Sequence, residues 1–204
     1  MSDIIKYGQN RQLSSKKVTK TQQMLHKSDL SRAFPALPEY LTVDEAHKIL
    51  AIIDKPRNAL LFLLLWQTGL RITEALQFSM ERMKDGIYYP VRKGGRVKPV
   101  HVPTDLMNDL MRYTIEARIP YEGLLFPISR IQAWRLLQRY AKLAGTRKLH
   151  PHLFRHGFAV NVLKQNPNLP VIQEALGHEH IETTRQYLRI IMPDVKEVIE
   201  KINF

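Results

Sequence analysis

Residues 86–103 read GIYYPVRKGGRVKPVHVP. Two β-prone runs flank a Lys-Gly-Gly-Arg turn, and this pattern predicts an antiparallel hairpin. On both sides the texture is helical. Upstream, LTVDEAHKIL (41–50) opens with Thr42 and Glu45 at capping-box spacing, and Ala46, Ile49, Leu50 and Ile53 share one helical face. A second helix runs from Pro56 through LLFLLLWQT (60–68). It is apolar nearly all round, as the buried centre of a helical domain must be. Gly69 ends it, and a short helix follows over 72–78. Downstream, helical patterns cover 104–118, 129–143, 151–165, 170–176, 181–190 and 193–202, with Gly145 and Gly177 closing two of them. Several helices around one small sheet predict an α+β, mainly α fold.

The bulk composition narrows the function class. The 204 residues are 44% hydrophobic and 25% charged, the balance of a soluble globular chain. The longest unbroken apolar run, 59–66, is far too short to cross a bilayer, and no signal-peptide pattern opens the sequence. Without cysteine there is no disulfide or thiolate chemistry, which fits a cytoplasmic protein with no membrane partner. Lys and Arg number 31 against 19 Asp and Glu, a net charge of +12 that points to a polyanion, most often nucleic acid. Residues 1–38 carry Lys6, Arg11, Lys16, Lys17, Lys20, Lys27 and Arg32 among sparse apolar positions, closed by Pro35 and Pro38. They read as a flexible basic arm suited to a phosphate backbone, leaving 39–204 as the folded domain.

Several local patterns could carry chemistry. There is no glycine-rich phosphate cradle, no HExxH and no GxSxG, which argues against an ATPase, a zinc protease and an α/β-hydrolase. In HPHLFRHGF (150–158), His152 and Arg155 sit three apart at the start of a helix, where an oxyanion is favoured. His152 and His156 could instead supply two metal ligands, but Arg155 between them is electrostatically hostile to a divalent cation. Simple helix filling is the third reading of these histidines. In TGLRITEAL (68–76), Arg71 follows a helix-ending glycine and Glu74, one turn on, is placed to hold its guanidinium. At the hairpin tip, Arg92, Lys93, Arg96 and Lys98 surround two glycines, so a basic loop could enter a groove. In LGHEHIETTRQYL (176–188), His178 follows a helix end and Tyr187 lies on the next helix. Taken singly, these are a salt-bridged arginine, a solvated turn and a packed tyrosine.

Taken in order, the four boxes resemble the tyrosine recombinase, or phage integrase, family over roughly residues 40–190, the family's catalytic domain. TGLRITEAL resembles the box of the first catalytic arginine and RKGGRVKPVHVP the hairpin with the catalytic lysine. HPHLFRHGFAV resembles the His-x-x-Arg box. LGHEHIETTRQYL is similar to the Gly-His box, with its tyrosine nine residues after the histidine. The resemblance implies a site-specific DNA recombinase in which Tyr187 attacks the scissile phosphate, giving a 3′-phosphotyrosyl bond and a free 5′-hydroxyl. It implies that Arg71 and Arg155 hold the phosphate oxygens and that His152 accepts the tyrosine proton. His178 would bond a phosphate oxygen and Lys93 would protonate the leaving group, with Lys98 able to take that place in another hairpin register. Glu74 would support from behind, and Arg92, Arg96 and Lys98 would contact DNA. No metal and no cofactor are implied. His150, His156 and His180 would be structural or phosphate-contacting.

The implied partner is double-stranded DNA, bound by a homo-tetramer whose free form is a monomer or weak dimer. Most relatives carry a helical N-terminal domain, commonly about a hundred residues, ahead of the catalytic domain; the expectation here is either a short member, similar to the invertases of fimbrial promoters, whose basic arm does part of the clamping, or a fragment. Weak, steeply salt-dependent DNA binding is expected of it. Val195, Val198, Ile199 and Ile202 form an apolar stripe that would dock on a neighbouring protomer or on its own domain. A DNA-binding regulator of the same fold and a type IB topoisomerase-like relaxing enzyme are the alternatives.

Overall fold

The computed structural model describes residues 39–92, 94–166, 168–176 and 187. The arm expected at 1–38, the helix expected at 193–202, most of the one at 181–190, and both Lys93 and His178 lie outside those residues.

Helix α1 (Val43–Ala51) starts on the capping box. The Glu45 backbone N–H donates to the Thr42 hydroxyl at 3.2 Å, and the Thr42 N–H donates to the Glu45 carboxylate at 3.0 Å. Two amides without helical partners are thereby satisfied. Ala46 and Ile49 are buried, and Leu50 and Ile53 pack against the core from its edge.

Helix α2 (Pro56–Thr68) has proline at its first position, where the missing N–H costs nothing. It packs against α1 and also touches α3 (Ile72–Ala75), α4 (Thr104–Glu116) and α6 (His152–Gln165). Four neighbours bury most of the helix, which explains the run of leucines, and leave an edge at Leu63, Trp66 and Gln67 partly open to water. Phe62 stacks on Phe154 of α6 at 5.7 Å and meets Tyr140 of α5 (Arg130–Leu143) edge-on at 6.1 Å. The Tyr140 hydroxyl accepts from Asn58 Nδ2 and donates to Asp54 Oδ1, both at 3.0 Å, so this polar atom of the aromatic layer is satisfied. Helix α7 (Leu169–Leu176) packs on α6.

The expected hairpin is present. Strands β1 (Met83–Lys84), β2 (Ile87–Tyr88) and β3 (Val100–His101) form an antiparallel sheet in the order β1-β2-β3, with β2 and β3 the predicted pair. A further bridge, Val91 to Val97, extends the hairpin toward its tip. The first strand is an addition to the sequence reading. Asp85 and Gly86 join it to β2 with φ of 52° and 76°, the tight turn that an Asp-Gly pair favours. The short helix stops at Ala75 rather than 78, because Phe78 leaves it to bury its ring 4.6 Å from Tyr88.

The entry to α6 is tied to α1. Arg147 pairs with Glu45 at 2.9 Å and Glu39 at 2.8 Å, and donates to the Tyr40 carbonyl at 2.7 Å. Gly157 then lets α6 approach closely, since a Cβ there would lie 2.5 Å from the Leu41 oxygen and 2.6 Å from Trp66 Cζ3. None of the described helices is long and apolar enough to cross a membrane.

Candidate active site

Arg155 is only 5% exposed, and its guanidinium is aimed by two helix ends. Nη1 donates to the Gly69 carbonyl at 2.7 Å and Nη2 to the Leu176 carbonyl at 2.6 Å. Gly69 caps α2 with φ of 63°, and Leu176 is the last residue of α7. Carbonyls at helix C-termini lack helical donors and carry partial negative charge, so a cation is the natural partner. Glycine is required at 69, because a Cβ would also meet Phe158 Cδ1 at 2.5 Å. Burial, and next the Arg71 charge, bring the Arg155 pKa down to about 10, which leaves it cationic at neutral pH.

Glu74 organises the second part of the site. Its residue is 3% exposed, yet its carboxylate serves two arginines. Oε2 accepts the Arg71 backbone N–H and Oε1 accepts Arg71 Nη1, both at 2.9 Å. Arg92 Nε approaches Oε1 to 3.2 Å as an ion pair, off the line of a hydrogen bond, so its buried N–H has no acceptor among the described residues. The Arg71 side chain is 40% exposed and faces open solvent. The expected Arg71–Glu74 pairing is therefore present, with Arg92 joined to it. The hairpin supplies Arg92 through a tight turn, in which the Arg92 N–H donates to the Arg96 carbonyl at 2.8 Å and the Gly95 N–H to the Arg92 carbonyl at 3.0 Å. Arg96 is exposed and Lys98 half-buried. Burial, then the Arg92 charge, hold the Lys98 ammonium below the usual lysine range.

The third part lies along α6. His152 is its first residue, and burial followed by His150, Arg155 and Arg71 keeps its imidazole below the usual histidine range. It is thus a neutral base at pH 7. One turn on, Nδ1 of His156 lies 2.6 Å from the Tyr187 hydroxyl. Burial, followed by His152, His150 and Arg155, pushes the His156 pKa down to about 4. Tyr187 is helical, 1% exposed and packed with Ala159, Val160, Leu163, Ile172 and Leu176. Arg155 feels its hydroxyl and the charges of Arg71, Glu74 and Arg92, so these groups form one electrostatic cluster.

The structure thus brings together Arg71, Glu74, Arg92, Lys98, His152, Arg155 and Tyr187 among the expected residues. Lys93 and His178 are outside the described residues. The residue that sequence reasoning passed over is His156, expected to be structural or phosphate-contacting and found on the tyrosine hydroxyl. Its spacing from His152 put both on one helix face, but nothing local links it to a side chain 31 positions away.

Residues 39–192 match the model of the phage integrase family. Tyrosine recombinase XerA of Pyrococcus furiosus is 34% identical over 181 residues, covering 82% of this chain and 63% of the relative. Tyrosine recombinase XerD of Chlorobaculum tepidum is 31% identical over 196 residues, covering 85% and 64%. The chain therefore spans just under two thirds of the length of these relatives. Among solved structures, the XerH site-specific recombinase in a post-cleavage complex with its palindromic difH substrate aligns with a TM-score of 0.68 at 26% identity, covering 81% of this chain and 54% of that one. The catalytic domain of bacteriophage HP1 integrase shares the fold at a TM-score of 0.61 and 19% identity, over 80% of this chain and 94% of that domain. With four ordered sequence boxes, a shared fold and a family match over three quarters of its length, the chain belongs to the phage integrase family of tyrosine recombinases.

Proposed function

We propose that this chain cuts and rejoins double-stranded DNA at specific sites through a 3′-phosphotyrosyl intermediate. The observation that carries the reading is the charge around Tyr187. Arg71 and Arg92 pair with the Glu74 carboxylate, and Arg155 feels their charges together with the Tyr187 hydroxyl. Two positive charges are left over, and the orphaned Arg92 N–H would be satisfied by a phosphate oxygen.

The chemistry follows from that charge. Tyr187 Oη bonds to phosphorus while the bond from phosphorus to the 5′-oxygen breaks. Negative charge grows on the non-bridging oxygens, where Arg71 and Arg155 stabilise it without reorganising, being held already by Glu74 and by the two helix-end carbonyls. His152, neutral at pH 7, takes the tyrosine proton. Lys93 at the hairpin turn protonates the departing 5′-oxygen, and His178 bonds a phosphate oxygen. Arg92, Arg96 and Lys98 bring the hairpin to the DNA backbone. A 5′-hydroxyl of a second strand then reverses the step, so the bond energy is kept and no nucleotide is consumed. Four copies on paired DNA sites would complete the exchange.

The test uses nicked suicide duplexes carrying the sequences that flank the gene, resolved on a denaturing gel. A covalent protein–DNA adduct that disappears in Tyr187→Phe is the expected result. Clear binding of DNA with no adduct on any of these duplexes would sink the cleavage reading and leave a binding protein.

A further inference from the structure

The proposed function makes no use of His156, yet it is the residue on the attacking oxygen. Nδ1 lies 2.6 Å from Tyr187 Oη, a strong hydrogen-bond distance. The ring centroids are 5.6 Å apart and the planes tilted by 51°, so the two rings meet through their edge atoms rather than by stacking. The rest of Tyr187 is seated among Ala159, Val160, Leu163, Ile172 and Leu176. A hydroxyl at the edge of such an apolar nest costs free energy unless it is bonded. The ring is fixed by packing, and an imidazole meets its polar end.

On this basis, and resting on the cleavage reading above, we propose that His156 is a positioning residue for the nucleophile. Its Nδ1 accepts the Tyr187 O–H and so directs an oxygen lone pair away from α6, free for phosphorus. Acceptance requires a neutral ring, and the surroundings supply one. Burial first, and then His152, His150 and Arg155, oppose a positive charge on His156. The same depression makes the ring a poor base. Against a phenol of ordinary pKa near 10, full proton transfer to a group titrating at about 4 is disfavoured about a millionfold. His156 therefore orients the resting hydroxyl, and the single O–H proton must leave this hydrogen bond before His152 takes it in the role proposed above. This divides the two α6 histidines, one turn apart, into an orienting group and an accepting group.

The experiment compares full-length wild type, His156→Asn, His156→Leu and Tyr187→Phe. An asparagine amide oxygen can sit near the place of Nδ1 and keeps the acceptor; leucine removes it. Melting temperatures first establish that each variant folds. Single-turnover adduct formation is then measured on the nicked duplexes at saturating DNA. His156→Leu should be slower by about tenfold or more with unchanged DNA affinity, while His156→Asn should stay within about threefold of wild type. In the DNA-free protein, the ¹⁵N resonance of His156 Nδ1 should carry the signature of an acceptor nitrogen and should shift in Tyr187→Phe. The proposal is overturned if a folded leucine variant cuts at the wild-type rate, if asparagine is as slow as leucine, or if the resonance ignores Tyr187→Phe. A wild type that forms no adduct would defeat the cleavage reading separately, and the resonance would then decide the His156 contact by itself. Should the leucine variant fail to fold, the asparagine variant and the resonance decide the matter.

Discussion

Replacing Glu74 by glutamine tests whether one carboxylate balances the arginines of the site. Gln has nearly the same shape and keeps an oxygen for the Arg71 N–H, so the change removes the charge and, with it, the acceptor that Oε1 offers to Arg71 Nη1 and Arg92. In wild type the carboxylate meets Arg71 twice at 2.9 Å and Arg92 at 3.2 Å, with a side chain only 4% exposed. Removing one partner of a fully buried pair costs about 3–5 kcal/mol. Here Arg71 is 40% exposed and water screens part of the loss, so about 2 kcal/mol is the better expectation. For a domain of this size that lowers the melting temperature by about 4–8 °C. The assay is thermal unfolding by circular dichroism in an anion-poor buffer, repeated with added sulfate. Sulfate among Arg71, Arg92 and Arg155 should return a larger share of stability to the variant than to wild type. A variant melting within about 1 °C of wild type would refute the charge argument. A destabilised variant that sulfate fails to help would refute it too, because the loss would then come from packing.

Two further outcomes are expected. Gly157→Ala should destabilise by about 1–2 kcal/mol in urea titration, because the Leu41 carbonyl at 2.5 Å cannot yield and overpacking outweighs alanine's helix preference; a stabilised variant would show that α6 does not need the close approach. Stability should also fall as pH drops from 6.5 to 4.5. The folded pKa of His156 is depressed to about 4, so in this window the unfolded chain binds a proton that the folded one does not. His152 acts in the same sense, whereas the lowered Glu45 and Asp54 act mainly below this range. After discounting for a half-exposed ring, His156 contributes about 1–2 kcal/mol. Urea unfolding at three pH values should show a flatter slope in His156→Asn, and identical slopes would remove His156 from the account.

What could be read from the sequence was the local grammar. The capping box at Thr42 and Glu45, the glycine stop at Gly69, the hairpin and the Arg71–Glu74 pair each depend on residues within a few positions of one another. Short-range rules are enough for these. The third strand was legible in principle, because Asp85–Gly86 is a strong turn signal, but strands of two residues leave no alternating pattern to accompany it. Contacts between distant residues were not legible. The Arg92 side chain turns back to Glu74 only because the hairpin folds over α3, and His156 meets Tyr187 across 31 positions of sequence. Periodicity carries no information about such meetings. For the same reason Arg155 was read as an anion-facing residue and not as one whose guanidinium also binds two helix ends.

That last feature bears on how descent should be read in such chains. Arg155 closes α2 and α7 through carbonyls at their C-terminal ends while also lying within electrostatic reach of Tyr187. A lineage that ceased to break DNA would still need it to keep these helices together, so its retention marks the architecture rather than the trade. Arg71, 40% exposed and held by a single acid, carries no such second duty. When a chain of this kind is sorted as a working or a retired enzyme, the exposed arginine and the tyrosine are the witnesses to question, and the buried arginine is the one whose testimony is given in advance.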